Sequence, residues 1–117
     1  MQDFRNLKVW ERSHQFTLEI YKMTKSFPKV ELYGLTSQIR RASASIPTNI
    51  AEGSGQGTDA QLKRYIQIAA GSACEVEYQL ILAKDLEYID ESHHHALNIE
   101  INEIKRMLIA FIKKLNA

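Results

Sequence analysis

Residues 62–83 read LKRYIQIAAGSACEVEYQLILA, and this stretch decides the fold class. Its apolar residues recur at alternating steps of four and three, which places them along one side of an α-helix. They are Leu62, Ile66, Ala69, Ala73, Val76, Leu80 and Ala83. Because the run is far longer than an ordinary strand and contains no proline, we predict one helix from about Thr58 to about Tyr88. Thr58 and Gln61 have the spacing of a capping box, in which the hydroxyl and the amide each satisfy a free helix-end N–H.

Three other segments show the same periodicity. We predict a first helix from about Leu7 to Ser26, a second from the region of 28–30 to about Glu52, and a fourth from Asp90 to about Leu115. Their apolar stripes are Val9, Phe16, Ile20, Met23 and Phe27; Leu35, Ile39, Ala42, Ile46 and Ile50; and Leu97, Ile101, Ile104, Leu108, Phe111 and Leu115. No segment alternates with a period of two, so no strand is expected.

The connections between these segments are short, which favours antiparallel neighbours. The sequence therefore predicts an all-α fold, an antiparallel up-down-up-down four-helix bundle formed by residues 1–117 as a single domain. Pro47 falls inside the second helix, where it has no N–H to donate to the carbonyl of Ser43, so we expect a kink there. The glycine-rich run 53–57 is expected to be a loop.

Composition excludes several classes of protein. The chain has 15 Lys and Arg against 14 Asp and Glu, a formal charge of +1, so no strong basic excess points to nucleic acid. A single cysteine, Cys74, rules out an intramolecular disulfide, and in the middle of the third helix we expect it to be buried. No apolar run is long enough to span a bilayer, and the first residues lack a signal segment. A cytoplasmic location without membrane contact is the resulting expectation.

Residue patterns typical of catalysis and metal binding are missing. Glu91 and His94 have the Glu-x-x-His spacing of di-iron bundles, but such sites need two of these units. His93, His94 and His95 are consecutive and point in different directions around a helix axis. No nucleophile, base and orienting acid share a spacing. We expect no enzyme activity, no metal, no cofactor and no small-molecule substrate.

Polar residues form a second stripe on the second helix, about a quarter turn from the apolar one. It contains Gln38, Arg41, Ser45, Asn49 and Glu52, and the third helix offers Arg64, Ser72, Glu75 and Gln79 at comparable spacing. A solvated face or a hydrogen-bond network that fixes helix packing is one interpretation, and a recognition surface is the other. Gly71 lowers helix stability, so close helix packing or a ligand contact is expected there.

Basic pairs are the other candidate feature. Arg40-Arg41 on the second helix and Lys63-Arg64 on the third form a nucleic-acid-binding patch if the two faces converge. Lys105-Arg106 and Lys113-Lys114 form a second candidate. The alternative is an ordinary wet helix face whose cations pair with nearby acids, and no aromatic stacking platform is interleaved with these residues in the sequence.

Several runs together resemble a known bacterial family. They are 7–10 (LKVW), Phe27-Pro28 with Glu31, 35–41 (LTSQIRR), 45–53 (SIPTNIAEG) and 69–73 (AAGSA). The chain resembles the four-helix bundle proteins named for 23S rRNA intervening sequences, over nearly its whole length. It is more distantly similar to the accessory variability determinant of diversity-generating retroelements, which associates with a reverse transcriptase and nucleic acid and is more basic than this chain. The resemblance implies a four-helix bundle that assembles into a ring-shaped homopentamer.

Two functional hypotheses follow. The first is a non-enzymatic oligomer that binds RNA or a nucleoprotein partner through Arg40, Arg41, Lys63 and Arg64. The symmetry of the oligomer would repeat these charges and so raise the local electrostatic field. The second is a structural or protein–protein interaction assembly without a nucleic-acid role, in which the polar stripe serves packing.

Overall fold

The computed structural model describes residues 3–115, which form four α-helices and no strand. The helices are α1 (Lys8–Thr24), α2 (Leu35–Ser54), α3 (Asp59–Asp85) and α4 (Glu91–Lys114). Short 3-10 turns at Phe4–Asn6 and Lys29–Glu31 precede α1 and α2. The prediction of an all-α four-helix fold is thereby confirmed.

The helices close around one core. α2 packs against α1 and α3, and α4 packs against α3 and α1, whereas no Cα atoms of the diagonal helices in the described chain come within 8 Å of each other. All predicted stripe residues of the first three helices are buried, and so are Leu97, Ile101, Ile104 and Leu108 of α4. Phe111 and Leu115 are half-buried against this core. The antiparallel order of the helices and the kink at Pro47 stay predictions.

The beginning of α2 differs from its prediction. The helix begins at Leu35 and not in the region of 28–30, because Gly34 has φ −110° and ψ −116°, outside the helical region. The Glu31 carboxylate takes the place of a cap: its Oε1 accepts a hydrogen bond from the Leu35 N–H at 3.0 Å. Its Oε2 accepts from the Tyr88 hydroxyl at 2.8 Å. The turn before α2 is therefore bonded to the segment that joins α3 and α4.

The end of α3 also comes earlier than predicted, at Asp85 rather than Tyr88. Glu87 has a φ of 65°, the left-handed conformation that ends a helix. The Tyr88 N–H donates to the Ala83 carbonyl and the Glu87 N–H to the Lys84 carbonyl, both at 2.9 Å. These two bonds define a Schellman motif, although a glutamate occupies the position that glycine usually takes.

Side chains cap the first turns of α3 and α4. The Thr58 hydroxyl accepts from the Gln61 N–H at 3.2 Å, as half of the predicted capping box requires. The Gln61 amide oxygen accepts from the Thr58 hydroxyl at 3.0 Å, so this contact replaces the reciprocal bond to a backbone N–H. Asp90 caps α4, as predicted, because its Oδ1 accepts from the His93 N–H at 2.7 Å.

Pro47 is buried within α2, and its missing donor is replaced from another helix. The Ser43 carbonyl would accept from residue 47 in an uninterrupted helix. The Thr17 hydroxyl of α1 lies 3.1 Å from this carbonyl and 2.9 Å from the Ser13 carbonyl of its own helix. A buried acceptor thus keeps a partner, and α1 and α2 gain a specific polar contact.

Two expectations about small residues are wrong, and a third is wrong in part. Gly53 belongs to α2 and not to a loop, and a Cβ there would lie 2.8 Å from the Tyr65 Cβ, so α2 approaches α3 closely at this point. Gly71 shows no such approach, since no atom beyond its chain neighbours and its own helix backbone lies within 4 Å of a Cβ built on it, so close helix packing does not explain this glycine. Cys74 is exposed, because it follows buried Ala73 by about 100° around the axis of α3.

Candidate nucleic-acid interface

A groove of about 810 Å³ follows the side of α2 that faces away from the core. We call it the α2 groove. It is lined by Tyr21, Leu32, Tyr33, Thr36, Ser37, Arg40, Arg41, Ala44, Ser45 and Thr48. The α2 residues Ser37, Arg41, Ala44 and Thr48 follow one another at steps of four, three and four, the spacing of one helix face. Apart from the arginines, α2 contributes only small side chains, which make the floor.

A second cavity of about 170 Å³ adjoins the α2 groove where α1 ends. Thr36, Leu32 and Arg40 line both cavities, and Lys25 and Lys29 belong to the second one. The two cavities together are lined by four cationic side chains and by no aspartate or glutamate. Concave surfaces that carry charge of one sign focus their potential, so this region attracts anions.

Arg40 is held in a fixed position by α1. Its Nε donates to the Thr24 hydroxyl at 2.7 Å, and an Nη donates to the Tyr21 carbonyl at 3.3 Å. Its guanidinium carbon lies 4.7 Å from the centre of the Tyr21 ring, a cation–π distance. Arg40 therefore contributes a positioned charge, with two of its five N–H donors already bonded to α1.

Arg41 stands in a different environment from its neighbour. It is exposed, and its side chain has no hydrogen bond or ion pair within residues 3–115. Besides the α2 groove it lines a pocket of about 180 Å³ between α2 and α3, together with Gln38, Ala42, Ser45, Ser72 and Glu75. All the donors of Arg41 are therefore available to a ligand.

Tyr33 and its neighbours were missed by the sequence analysis, which found no aromatic residue beside the basic pairs. Tyr33 is 93% exposed and Val30 is 86% exposed, and both lie in the segment between α1 and α2. Tyr33 and Tyr21 line the same groove as Arg40 and Arg41. The second helix predicted from the region of 28–30 includes Tyr33, whereas the structure places this residue in the connection before α2. Gly34, directly after Tyr33, was the available signal for a break.

The predicted polar stripe forms a hydrogen-bonded contact between α2 and α3. The hydroxyl groups of Ser45 and Ser72 are 2.9 Å apart. The Asn49 amide donates to the Ser45 hydroxyl at 2.9 Å and to the Ser45 carbonyl at 2.8 Å. Gln38 and Glu75 lie at the pocket beside this contact, and the exposed side chain of Glu52 does not line it.

The remaining predicted cations lie elsewhere. Lys63 and Arg64 line neither cavity. Arg64 precedes Ser72, which contacts α2, by eight residues, or about 12 Å of helix. Their assignment to nucleic-acid binding stays a prediction. Of the two predicted pairs on α4, Lys105-Arg106 is neutralised, since Lys105 Nζ lies 2.7 Å from Glu77 Oε1 and Arg106 forms an ion pair with Glu103. Lys113 and Lys114 are exposed and have no ion pair within residues 3–115.

These ion pairs shift the pKa values of the acidic and basic groups that form them. The hydrogen bond from Lys105 lowers the pKa of the Glu77 carboxyl and raises the pKa of the Lys105 ammonium. Arg106 likewise lowers the pKa of Glu103. Each contact favours the charged form of both partners, so these residues remain ionised and paired near neutral pH.

The outer surface of α3 and α4 bears exposed apolar side chains. Tyr78 is 60% exposed, and Ile81, Ile99 and Ile109 are exposed as well. We call these four residues the α3–α4 face. Exposed apolar side chains of this size are candidates for a surface that another protein covers.

No metal or membrane feature accompanies these surfaces. Within residues 3–115 no three His, Cys, Asp or Glu side chains converge as metal ligands would. His94 Nε2, from the Glu-x-x-His unit, is buried without a hydrogen-bond partner. None of the helices found in that part of the chain has the length and apolar character needed to cross a bilayer.

Fold and surface define the class as an all-α four-helix protein with a cationic groove. The model of the family described as 23S rRNA-intervening sequence protein matches residues 5–110, and the chain belongs to this family. It is similar to a protein of unknown function from the S23 ribosomal protein family of Bacteroides thetaiotaomicron VPI-5482, whose crystal structure is known. The two are 30% identical, with a TM-score of 0.83 over 90% of this chain and 95% of that one. No curated protein matches the chain.

Proposed function

We propose that this protein is a non-enzymatic homo-oligomer that binds RNA, alone or within a nucleoprotein, through the α2 groove. One observation carries the proposal: Lys25, Lys29, Arg40 and Arg41 line two adjoining cavities in which no carboxylate takes part. Phosphate groups are the anions that such a surface attracts, and arginine and lysine are the side chains that contact them.

The low net charge agrees with this proposal because the charges are segregated. Arg12 pairs with Glu100, Lys105 with Glu77 and Arg106 with Glu103, all away from the groove. A chain with a formal charge of +1 can therefore present a strongly positive surface on one side. Repetition of that surface around an oligomer would raise the local field further.

Self-association is supported by the α3–α4 face. Its four exposed apolar residues lie on helices other than those that form the groove, so an assembly that covers them leaves the groove accessible. The resemblance of the sequence implies a ring of five subunits. We expect a solution mass well above the 13.4 kDa of one chain, which light scattering measures.

The nucleic-acid proposal is tested by removing one charge from each side of the molecule. Arg41→Gln removes a cation without an internal partner, and we expect about tenfold weaker binding of a hairpin RNA at low salt, the scale of one charged hydrogen bond. Arg106→Gln removes an exposed cation that pairs with Glu103 and is the matched control.

Fluorescence anisotropy at increasing salt concentration measures both effects. Binding through phosphates weakens steeply with salt, and Arg41→Gln makes that dependence shallower. Equal losses for both variants, or affinity that does not change between low and high salt, would contradict the proposal.

A structural role is the second candidate, and the contact between Ser45, Asn49 and Ser72 favours it. These hydrogen bonds join α2 to α3, as a network that specifies packing would. Arg41→Gln and Arg64→Gln, made separately, distinguish the two functions. If either variant loses its fold or its assembled mass, the arginine is structural; intact assemblies with weaker RNA binding support recognition.

A further inference from the structure

We propose that the α2 groove takes unpaired RNA rather than duplex RNA, with a base stacked on Tyr33 and a neighbouring phosphate on Arg41. This inference rests on the proposed function and specifies its ligand. Three observations support it: the difference in exposure between the Tyr21 and Tyr33 rings, the small number of available cations, and the small side chains that form the floor of the groove.

The two tyrosines of the groove differ in how much of each ring is free. Arg40 covers the Tyr21 ring at 4.7 Å, and Tyr21 is 42% exposed. The Tyr33 ring has neither a ring contact nor a hydrogen bond within residues 3–115 and is 93% exposed. Tyr33 adds almost nothing to the buried core, yet it stands at the groove with both ring faces open.

An exposed ring next to cations discriminates between forms of RNA. In a duplex, each base is covered by its stacked neighbours, and the major groove is too deep and narrow for side chains to enter. In an unpaired strand the base can stack on an aromatic side chain while its phosphate contacts a cation. Tyr33 and Arg41 line one cavity and supply these two contacts.

The available charge is too small for binding by phosphates alone. Lys25, Lys29 and Arg41 are the cations of the two cavities whose side chains have no hydrogen bond or ion pair within residues 3–115. Recognition of a duplex by its shape usually extends over about 16 base pairs and many phosphates. A site with three available cations therefore gains from stacking on an open ring.

The floor of the groove suits a strand that lies along α2. Ser37, Ala44 and Thr48 are small, so a ligand can approach the helix closely on both sides of Arg41, at Ser37 toward Tyr33 and at Ala44 and Thr48 beyond it. The hydroxyl groups of Ser37 and Thr48 both donate and accept hydrogen bonds, as contacts with ribose and phosphate require.

The experiment compares a labelled uridine homopolymer of about 12 nucleotides, within the site size of single-strand binders, with an RNA duplex of the same length. We expect the single strand to bind more tightly, with a log–log salt slope of roughly −2 for three phosphate contacts. Tyr33→Ala should weaken single-strand binding by about 5- to 150-fold and leave duplex binding unchanged. Tyr33→Phe should retain the wild-type affinity, because it keeps the ring.

Controls separate this inference from the proposed function. Leu18→Ala removes an exposed apolar side chain of α1, which lies outside the groove and outside the α3–α4 face, and should change neither affinity. Duplex binding as tight as single-strand binding, or Tyr33→Ala without effect while Arg41→Gln still weakens binding, would overturn the inference and leave the function standing. Absence of binding to either RNA at low salt would overturn both. Binding of a polyglutamate peptide in preference to either RNA would identify a protein ligand and also overturn both.

Discussion

Adjacent basic residues occur on α2 as Arg40-Arg41 and on α4 as Lys105-Arg106, and the two pairs differ in whether acidic side chains lie beside them. Arg40 and Arg41 line a groove to which no carboxylate contributes. Lys105 and Arg106 each form an ion pair with a glutamate. The pair on α2 therefore lies without an acidic partner beside Tyr21 and Tyr33, while the pair on α4 is neutralised.

The difference teaches why basic pairs are hard to interpret in a sequence. Glu103 precedes Arg106 by three residues, so their ion pair follows from helix geometry alone. Glu77 precedes Lys105 by 28 residues, and only the packing of α3 against α4 brings them together. Local spacing can reveal a neutralised cation, but the absence of a local partner does not reveal a free one.

The largest effect is expected beneath the α3–α4 face. Leu108 is fully buried, so Leu108→Ala should lower the free energy of unfolding by about 2–5 kcal/mol. Ile109, the next residue, is 45% exposed, and Ile109→Ala should cost less than about 1 kcal/mol in a monomer. Denaturant unfolding measures both values. Equal losses would mean that α4 is rotated relative to the core.

A smaller effect should separate the two surfaces by assembly. Ile81→Lys places a charge on the α3–α4 face and should weaken self-association by about 30-fold, the equivalent of roughly 2 kcal/mol, because the interface would have to desolvate it. Ala44→Lys introduces the same side chain on the floor of the α2 groove and should leave the solution mass unchanged. Light scattering over a dilution series measures both. If only Ala44→Lys dissociates the assembly, the groove is the subunit interface.

The periodicity of apolar residues predicted which side chains of each helix are buried. Burial of the stripe from Leu62 to Ala83 follows from spacing alone, because a helix in water needs an apolar side to pack. The exposure of Tyr33 depends on the backbone at Gly34, where the predicted helix does not exist. The bond between Thr17 and the Ser43 carbonyl joins residues 26 positions apart. Neither local geometry nor a distant contact of this kind can be read from periodicity.

The smallest effect concerns Glu31, which links the turn before α2 to the connection between α3 and α4. Glu31 accepts hydrogen bonds from the Leu35 N–H and the Tyr88 hydroxyl, and these bonds lower the pKa of its carboxyl from the usual 4.5. A lowered pKa in the folded state stabilises the protein above the unfolded-state pKa, and this contribution is lost as pH falls through the folded-state value. Glu31→Gln, which keeps an acceptor but not the charge, should therefore flatten the acid part of the stability profile. Tyr88→Phe should flatten it less, since the backbone bond is the main cause of the pKa shift.

The free energy of unfolding, measured from neutral pH to below the ordinary pKa of glutamate, tests this order of effects. Identical acid slopes for wild type and Glu31→Gln would show that the carboxylate does not join the two connections in solution.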